Sequence, residues 1–222
     1  MNVLIYFCIL IVVTLMIYFM HKLLSIQGLT ITLLTMNIIS FILSFKLLKF
    51  SNINLISNSI TYISMFTIIY LMLEKTNNKE VIKIINTNFI INIFIAIMLY
   101  LTSYYTQTLN DTVGINMTNV FIKNYRVLLA YPIATALSSH LIVLMYNKIK
   151  NLYDNMFIST TTTYLAIGLV DIIVYVLIAY LNVYQVKILI QIALSTYMVR
   201  LILTVIHSIF LILITTKKKV RK

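Results

Sequence analysis

The chain has 222 residues, of which 61% are hydrophobic and only 10% charged. A soluble domain carries about 25% charged residues, so this composition, with a mean hydropathy of +1.00, excludes a soluble enzyme and points to an integral membrane protein. The net charge of +12 does not indicate nucleic acid. The cations sit in short stretches between apolar runs, where basic residues set membrane orientation.

Three Gly, one Pro and no Trp favour long helices over strands, and no series of short alternating segments suggests a barrel. Seven apolar segments are each long enough to span at about 20 residues per crossing. They lie at 2–20, 25–46, 55–73, 84–106, 121–146, 156–181 and 186–215. The first lacks a basic leader and a small-residue cleavage site, so it is expected to be retained as a helix. The third has a polar first half, Ser57, Asn58, Ser59, Thr61 and Ser64. The 105–120 stretch, with Gln107, Asn110, Asp111, Gly114 and Asn116, is read as a connecting loop.

Loop charge tests this count. With the N-terminus outside, the cytoplasmic side holds Lys22, Lys75, Lys79, Lys83, Lys148, Lys150 and the tail cations Lys217, Lys218, Lys219, Arg221 and Lys222. The other side holds Lys46, Lys49, Lys123 and Lys187. The bias predicts an all-α polytopic membrane helix bundle of about seven transmembrane helices. It is a single domain over 1–222, N-terminus out and C-terminus cytoplasmic.

Asp171 stands out inside the sixth segment. It is one of five acids and lies among apolar neighbours. A carboxylate at the centre of a membrane helix costs about 2.5–3.5 kcal/mol on insertion scales, so it faces protein or a cavity. Helical spacing puts Thr160, Tyr164, Gly168 and Tyr175 on its face. The residue is either a ligand contact or the structural partner of a buried Arg. Arg126 and Arg200 lie in the fifth and seventh segments, and a buried charge needs a partner. Polar stripes recur on other helices: Asn37, Ser40 and Ser44; Ser57, Thr61 and Ser64; and Tyr197, Arg200, Thr204 and His207. Ala130, Ala134 and Ser138 form a small-residue stripe that admits a close helix neighbour. His140 and His207 are read as hydrogen-bonded packing residues. Convergence of such stripes is the pattern of a midplane substrate cavity.

No GxxxxGK[ST] loop, HExxH motif or GxSxG elbow is present, so ATP hydrolysis and intramembrane hydrolysis find no support. The expectation is a non-enzymatic chain without cofactor, metal or nucleic-acid partner.

Several runs follow in order: the turn Ser25-Ile26-Gln27-Gly28-Leu29, then Lys46-Leu47-Leu48, Glu74-Lys75 followed by Lys79-Glu80, Arg126-Val127-Leu128-Leu129-Ala130, Asp171, and Gln191-Ile192-Ala193-Leu194-Ser195-Thr196-Tyr197-Met198-Val199-Arg200. Together they resemble bacterial queuosine precursor transporters, a vitamin-uptake-transporter-like family. The resemblance covers about residues 20–212. It implies a carrier in the bacterial cytoplasmic (inner) membrane that imports a small planar deazapurine base, a 7-deazaguanine precursor used in tRNA modification. The implied substrate-binding set is Asp171, Arg126, Arg200, Tyr164, Tyr175, Ser138, Ser139, Gly168, Lys46 and Glu74. The chain departs from the family at Tyr70, where an acid is expected, at Ser139 and Ile142 in helix five, at Gly168, and at Arg200 in place of lysine. Membrane lipid is the expected surrounding, and a homo-oligomer stays open. Two alternatives also remain: a substrate-capturing membrane subunit energised by a separate ATPase, and a decayed, non-transporting membrane protein.

Overall fold

The structure, a computed structural model, describes residues 2–50, 53–105 and 111–219. Arg221 and Lys222, the side chains of Lys217, Lys218 and Lys219, and Gln107 and Asn110 of the connecting stretch lie outside the described residues. Seven helices and one β-hairpin follow in the order α1 (Asn2–Leu43), β1 (Leu47–Phe50), β2 (Ile53–Ile56), α2 (Ser59–Leu73), α3 (Asn78–Thr102), α4 (Thr112–Lys123), α5 (Tyr125–Tyr153), α6 (Met156–Tyr180) and α7 (Val186–Lys219).

The first two expected segments are two arms of α1. The break is one residue, Ser25, at φ 51° and ψ −119°. Only glycine enters this region without strain. The reversal is tight: a Cβ at Gly28 would meet the Met20 carbonyl oxygen at 2.1 Å. Ile5, Tyr6 and Ile9 of the first arm share a cavity with Leu43 beyond the second arm's core. The chain therefore doubles back, and the second arm returns to the end from which the first started.

The third expected segment, 55–73, is corrected in kind. Its first residues belong to a strand, because β1 and β2 pair antiparallel with Leu47 opposite Ile56 and Phe50 opposite Ile53. Helix α2 is only 15 residues long, about 22 Å at 1.5 Å per residue, against a hydrocarbon layer of about 30 Å. The hairpin makes up part of the difference. Backbone away from water must be hydrogen-bonded, and α7 helps to satisfy it. Thr196 Oγ1 accepts from Ile56 N at 3.2 Å, and Ser195 Oγ donates to the Asn54 carbonyl. All fifteen residues of α2 are buried, so this short helix is the axis of the bundle.

Around it lie the long helices. Among the described residues, five helices are long and apolar enough to cross a membrane, with α1 counted once although it has two arms. The stripe Ala130, Ala134 and Ser138 of α5 is buried to 1% exposure or less and forms a closely packed seam with α6, as small residues permit. The outward faces carry exposed Ile, Leu and Phe, such as Phe7, Ile11, Phe94, Ile97, Leu169 and Ile202. The 105–120 stretch is also corrected. It contains most of α4, a twelve-residue helix with no buried residue, whose start is capped by Asp111 accepting from Gly114 N at 2.8 Å.

Candidate functional site

Asp171 lies in α6 with no exposure, and Arg200 of α7 is 1% exposed. Arg200 Nη1 donates to Asp171 Oδ2 at 2.7 Å. Ser138 of α5 donates to Oδ1 at 2.6 Å, and the Tyr62 phenol of α2 donates to the same oxygen. Arg200 Nη2 donates to Asn58 Oδ1 at 3.0 Å, and the guanidinium carbon stands 3.9 Å above the Tyr62 ring. Four helices thus meet on one carboxylate. Taking two charges out of water is expensive and is offset only by good geometry with the remaining donors and acceptors filled. Here both carboxylate oxygens are filled.

The start of α2 places Asn58 and Tyr62, and the hairpin places the start of α2. Asn58 Nδ2 donates to the Ser40 carbonyl of α1 at 3.3 Å, which fixes the amide that meets Arg200. Gly168 has a local reason: a Cβ there would lie 2.7 Å from Tyr164 Cζ. Its absence lets the Tyr164 ring lie back along α6 between the rings of Phe66 and Tyr197.

A second buried polar group adjoins the first. Asn37 of α1 donates to Asn88 at 2.7 Å and to Asn92 at 2.5 Å, both on α3. The Tyr131 phenol of α5 donates to Asn37 Oδ1 at 2.9 Å. Tyr131 stacks on Phe41 at 4.8 Å and meets Tyr62 edge-on. This pairing ties α1, α3 and α5 together beside the ion pair.

The expected site residues divide. Asp171, Arg200 and Ser138 bond directly in one cluster, with Tyr164 beside the guanidinium. Ser139 is buried on α5. Tyr175, also buried, donates to the Ser44 carbonyl at 3.1 Å and so anchors α6 to the end of α1. The structure does not bring Arg126, Glu74 or Lys46 to the carboxylate. Arg126 donates to the Leu181 carbonyl just past α6. Glu74, at the end of α2, accepts from Tyr146 at 2.8 Å and pairs with Lys150. Lys46 lines a separate cavity of about 250 Å³ with Tyr6, Leu48, Ser57 and Thr61. Asn58, Tyr62, Asn88, Asn92 and Tyr131 join the polar interior and were missed as site residues. For Asn88 and Asn92 the signal was present, since two amides four residues apart on an apolar helix share a face. His140 is hydrogen-bonded to Asn86 and the Ala136 carbonyl, as expected. His207 is not: neither ring nitrogen has a partner among the described residues.

Long apolar helices around a buried polar centre, with a short helix entered through irregular backbone, are the construction of membrane transporters. A model of the family described as "putative vitamin uptake transporter" matches residues 58–214. The chain belongs to that family, and it is a multi-pass membrane protein of a transporter class. No curated protein and no solved structure matches it.

Proposed function

We propose that the chain is a carrier importing a small planar base, a 7-deazaguanine precursor of queuosine, across a bacterial cytoplasmic membrane, with Asp171 as the acceptor for the base edge. One observation carries this reading. Asp171 already takes a guanidinium N–H, Arg200 Nη1 on Oδ2, while its Oδ1 takes the Ser138 and Tyr62 hydroxyls. The N1–H and 2-amino group of a deazaguanine form an N–C–N donor fork that a carboxylate accepts in one plane, one donor to each of these two oxygens. Arg200 then holds the acid neutralised while the carrier is empty. When the base takes the carboxylate, Arg200 keeps Asn58 and is free to donate to the base carbonyl. Tyr62, at the entry to α2, supplies a ring against which a planar ligand can stack.

The hairpin and the short α2 support the same reading. Alternating access needs an element that can move against the rest, and discontinuous helices at the binding level are the usual choice. Here the end bearing Glu74, Lys150 and the Ser25 reversal faces the cytoplasm, and the hairpin end faces outward.

The test is uptake of labelled 7-deazaguanine bases by cells unable to make queuosine, with and without the chain. Restored tRNA modification is expected for the wild type and its loss for Asp171→Asn. Failure of every such base to enter sinks the substrate. A second reading has its own observation: both oxygens of Asp171 are filled from within the protein, as in a purely structural ion pair. It predicts that Asp171→Asn changes stability while transport by the surviving folded protein is unchanged.

A further inference from the structure

Between α2, α6 and α7, to one side of the ion pair, lies a small cavity of about 10 Å³. That is about room for one water. It is lined by Thr67 and Tyr70 of α2, Tyr164 of α6, and Thr204, His207 and Ser208 of α7. The hydroxyls of Thr67, Thr204 and Ser208 bond back to their own helices. The other polar groups do not. Tyr70 Oη and both ring nitrogens of His207 make no hydrogen bond among the described residues, although His207 and Tyr70 are each 2% exposed; the buried Tyr164 phenol interacts with Arg200.

A buried polar atom left without a hydrogen bond keeps its full desolvation penalty. A histidine, a phenol and a water-sized space in one spot therefore point to something bound there. A water with its own donors and acceptors could serve two or three of these atoms at once.

The cavity also lies between two ion pairs, Arg200–Asp171 and Lys150–Glu74. On one side Tyr164 stands beside Arg200, and so beside Asp171. On the other, the Tyr70 ring packs 4.9 Å from Tyr146, whose phenol donates to Glu74, the partner of Lys150. The titratable groups facing His207 are thus Tyr70 from α2 and Tyr164 from α6, with Arg200 and Tyr197 on its own helix. No carboxylate lines the cavity. Groups with exchangeable protons thus stand at intervals from the partly exposed Glu74 to the buried centre, with gaps between Tyr146 and Tyr70, which meet by ring packing, and where the water would sit.

We propose that this cavity is a proton-binding site. His207 is the residue protonated, through a single bridging water shared with Tyr70 and Tyr164, and this proton is the coupling ion for transport. In the step itself a hydronium entering from the Glu74 side transfers its proton to the free imidazole nitrogen, and the water left behind remains as the bridge. The binding half stands on the cavity alone; the coupling half rests on the carrier function proposed above.

The experiment has two arms, both on the full chain in liposomes. In the first, the protein is labelled with ¹⁵N-histidine and acidified. An imidazolium signal that the wild type shows and His207→Gln lacks is expected. A ring that stays neutral until the bundle unfolds overturns the proposal. In the second, labelled 7-deazaguanine is offered either in exchange without a gradient or against a pH difference. One proton per base and one pH unit correspond to about tenfold accumulation. The wild type is expected to reach it, and His207→Gln to keep exchange while losing the accumulation. Accumulation unchanged in His207→Gln overturns the coupling. Should His207→Gln fail to exchange, Tyr70→Phe takes its place under the same criterion. Should the wild type exchange no base at all, the substrate reading fails and the first arm alone decides the proton site.

Discussion

Replacing Asp171 by Asn removes one charge and little volume, and leaves Arg200 in place. The amide can still accept from Ser138 and Tyr62, so the loss falls on the guanidinium, which is 1% exposed and loses its only ion-pair partner. Removing one partner of a buried pair costs about 3–5 kcal/mol, because the other charge stays buried without compensation. For a chain of this size 1 kcal/mol moves the midpoint by about 2–4 °C, so Asp171→Asn should lower it by about 6–20 °C. Adding Arg200→Met removes the stranded charge while keeping an apolar stem of similar length. The double variant should recover most of the loss, a coupling of about 2–3 kcal/mol. Unfolding of the four proteins of this cycle in mixed lipid–detergent micelles, followed by circular dichroism, gives the numbers. Asp171→Asn within about 1 kcal/mol of wild type, or a double variant no better than the single, would refute the assignment of a buried ion pair. The double variant also separates structure from function. Restored stability with uptake still absent identifies the Asp171–Arg200 pair as ligand groups, whereas restored uptake leaves it a structural pair.

Four further outcomes are expected. Gly168→Ala pushes against the Tyr164 ring and should cost about 1–3 kcal/mol; adding Tyr164→Leu should relieve most of it, and an additive pair in the same unfolding assay would contradict the contact. Asn37→Leu leaves Asn88, Asn92 and Tyr131 short of a partner, whereas Asn88→Leu removes a peripheral member. The first should therefore be less stable than the second by about 1–3 kcal/mol, and equal losses would argue against Asn37 as the hub. Ser25→Gly relieves a positive φ and should raise stability by about 1 kcal/mol, with Ser25→Val moving the other way; a midpoint lowered by the glycine would contradict the reversal. Glu74→Gln opens the second ion pair, whose side chains are 20–32% exposed, and should cost under about 1 kcal/mol, more at low salt than at high. A loss as large as that of Asp171→Asn would place Glu74 in a drier setting than its exposure indicates.

The sequence was most legible where a single helix carried the whole signal. The sixth segment was expected over 156–181 and α6 runs from Met156 to Tyr180, because an Asn cap and an unbroken apolar run mark both ends. Three of the four threonines at its start bond back to their own helix. The need of Asp171 for a partner was also legible, since an acid among apolar residues must meet something polar. Which groups it meets was less so. Asn58 and Arg200 are 142 positions apart, and no local period records a contact of that range. The hairpin escaped for another reason: short apolar runs such as Leu47–Phe50 and Ile53–Ile56 have no period that separates strand from helix. With 55–73 read as one helix, Asn58 and Tyr62 fell inside a segment, although they sit where α2 begins and from there reach Arg200 and Asp171 respectively. Arg126 and Lys46 were drawn into the site by charge and by the family resemblance, and neither says at which depth a side chain ends.

The enclosure of α2 has a consequence for how the chain is made. Fifteen residues starting with Ser59, Thr61, Tyr62 and Ser64 form a weak candidate for entering a bilayer alone, both short and polar at one end. Every side of this helix is covered by protein in the finished bundle, and part of that cover is α6 and α7. Asn58 and Tyr62 gain Arg200 and Asp171 only when those helices have emerged from the ribosome, more than a hundred residues later. The centre of the carrier must therefore be seated late, held until then by α1 and the hairpin, and the ion pair that closes around its first turn also marks the completion of assembly.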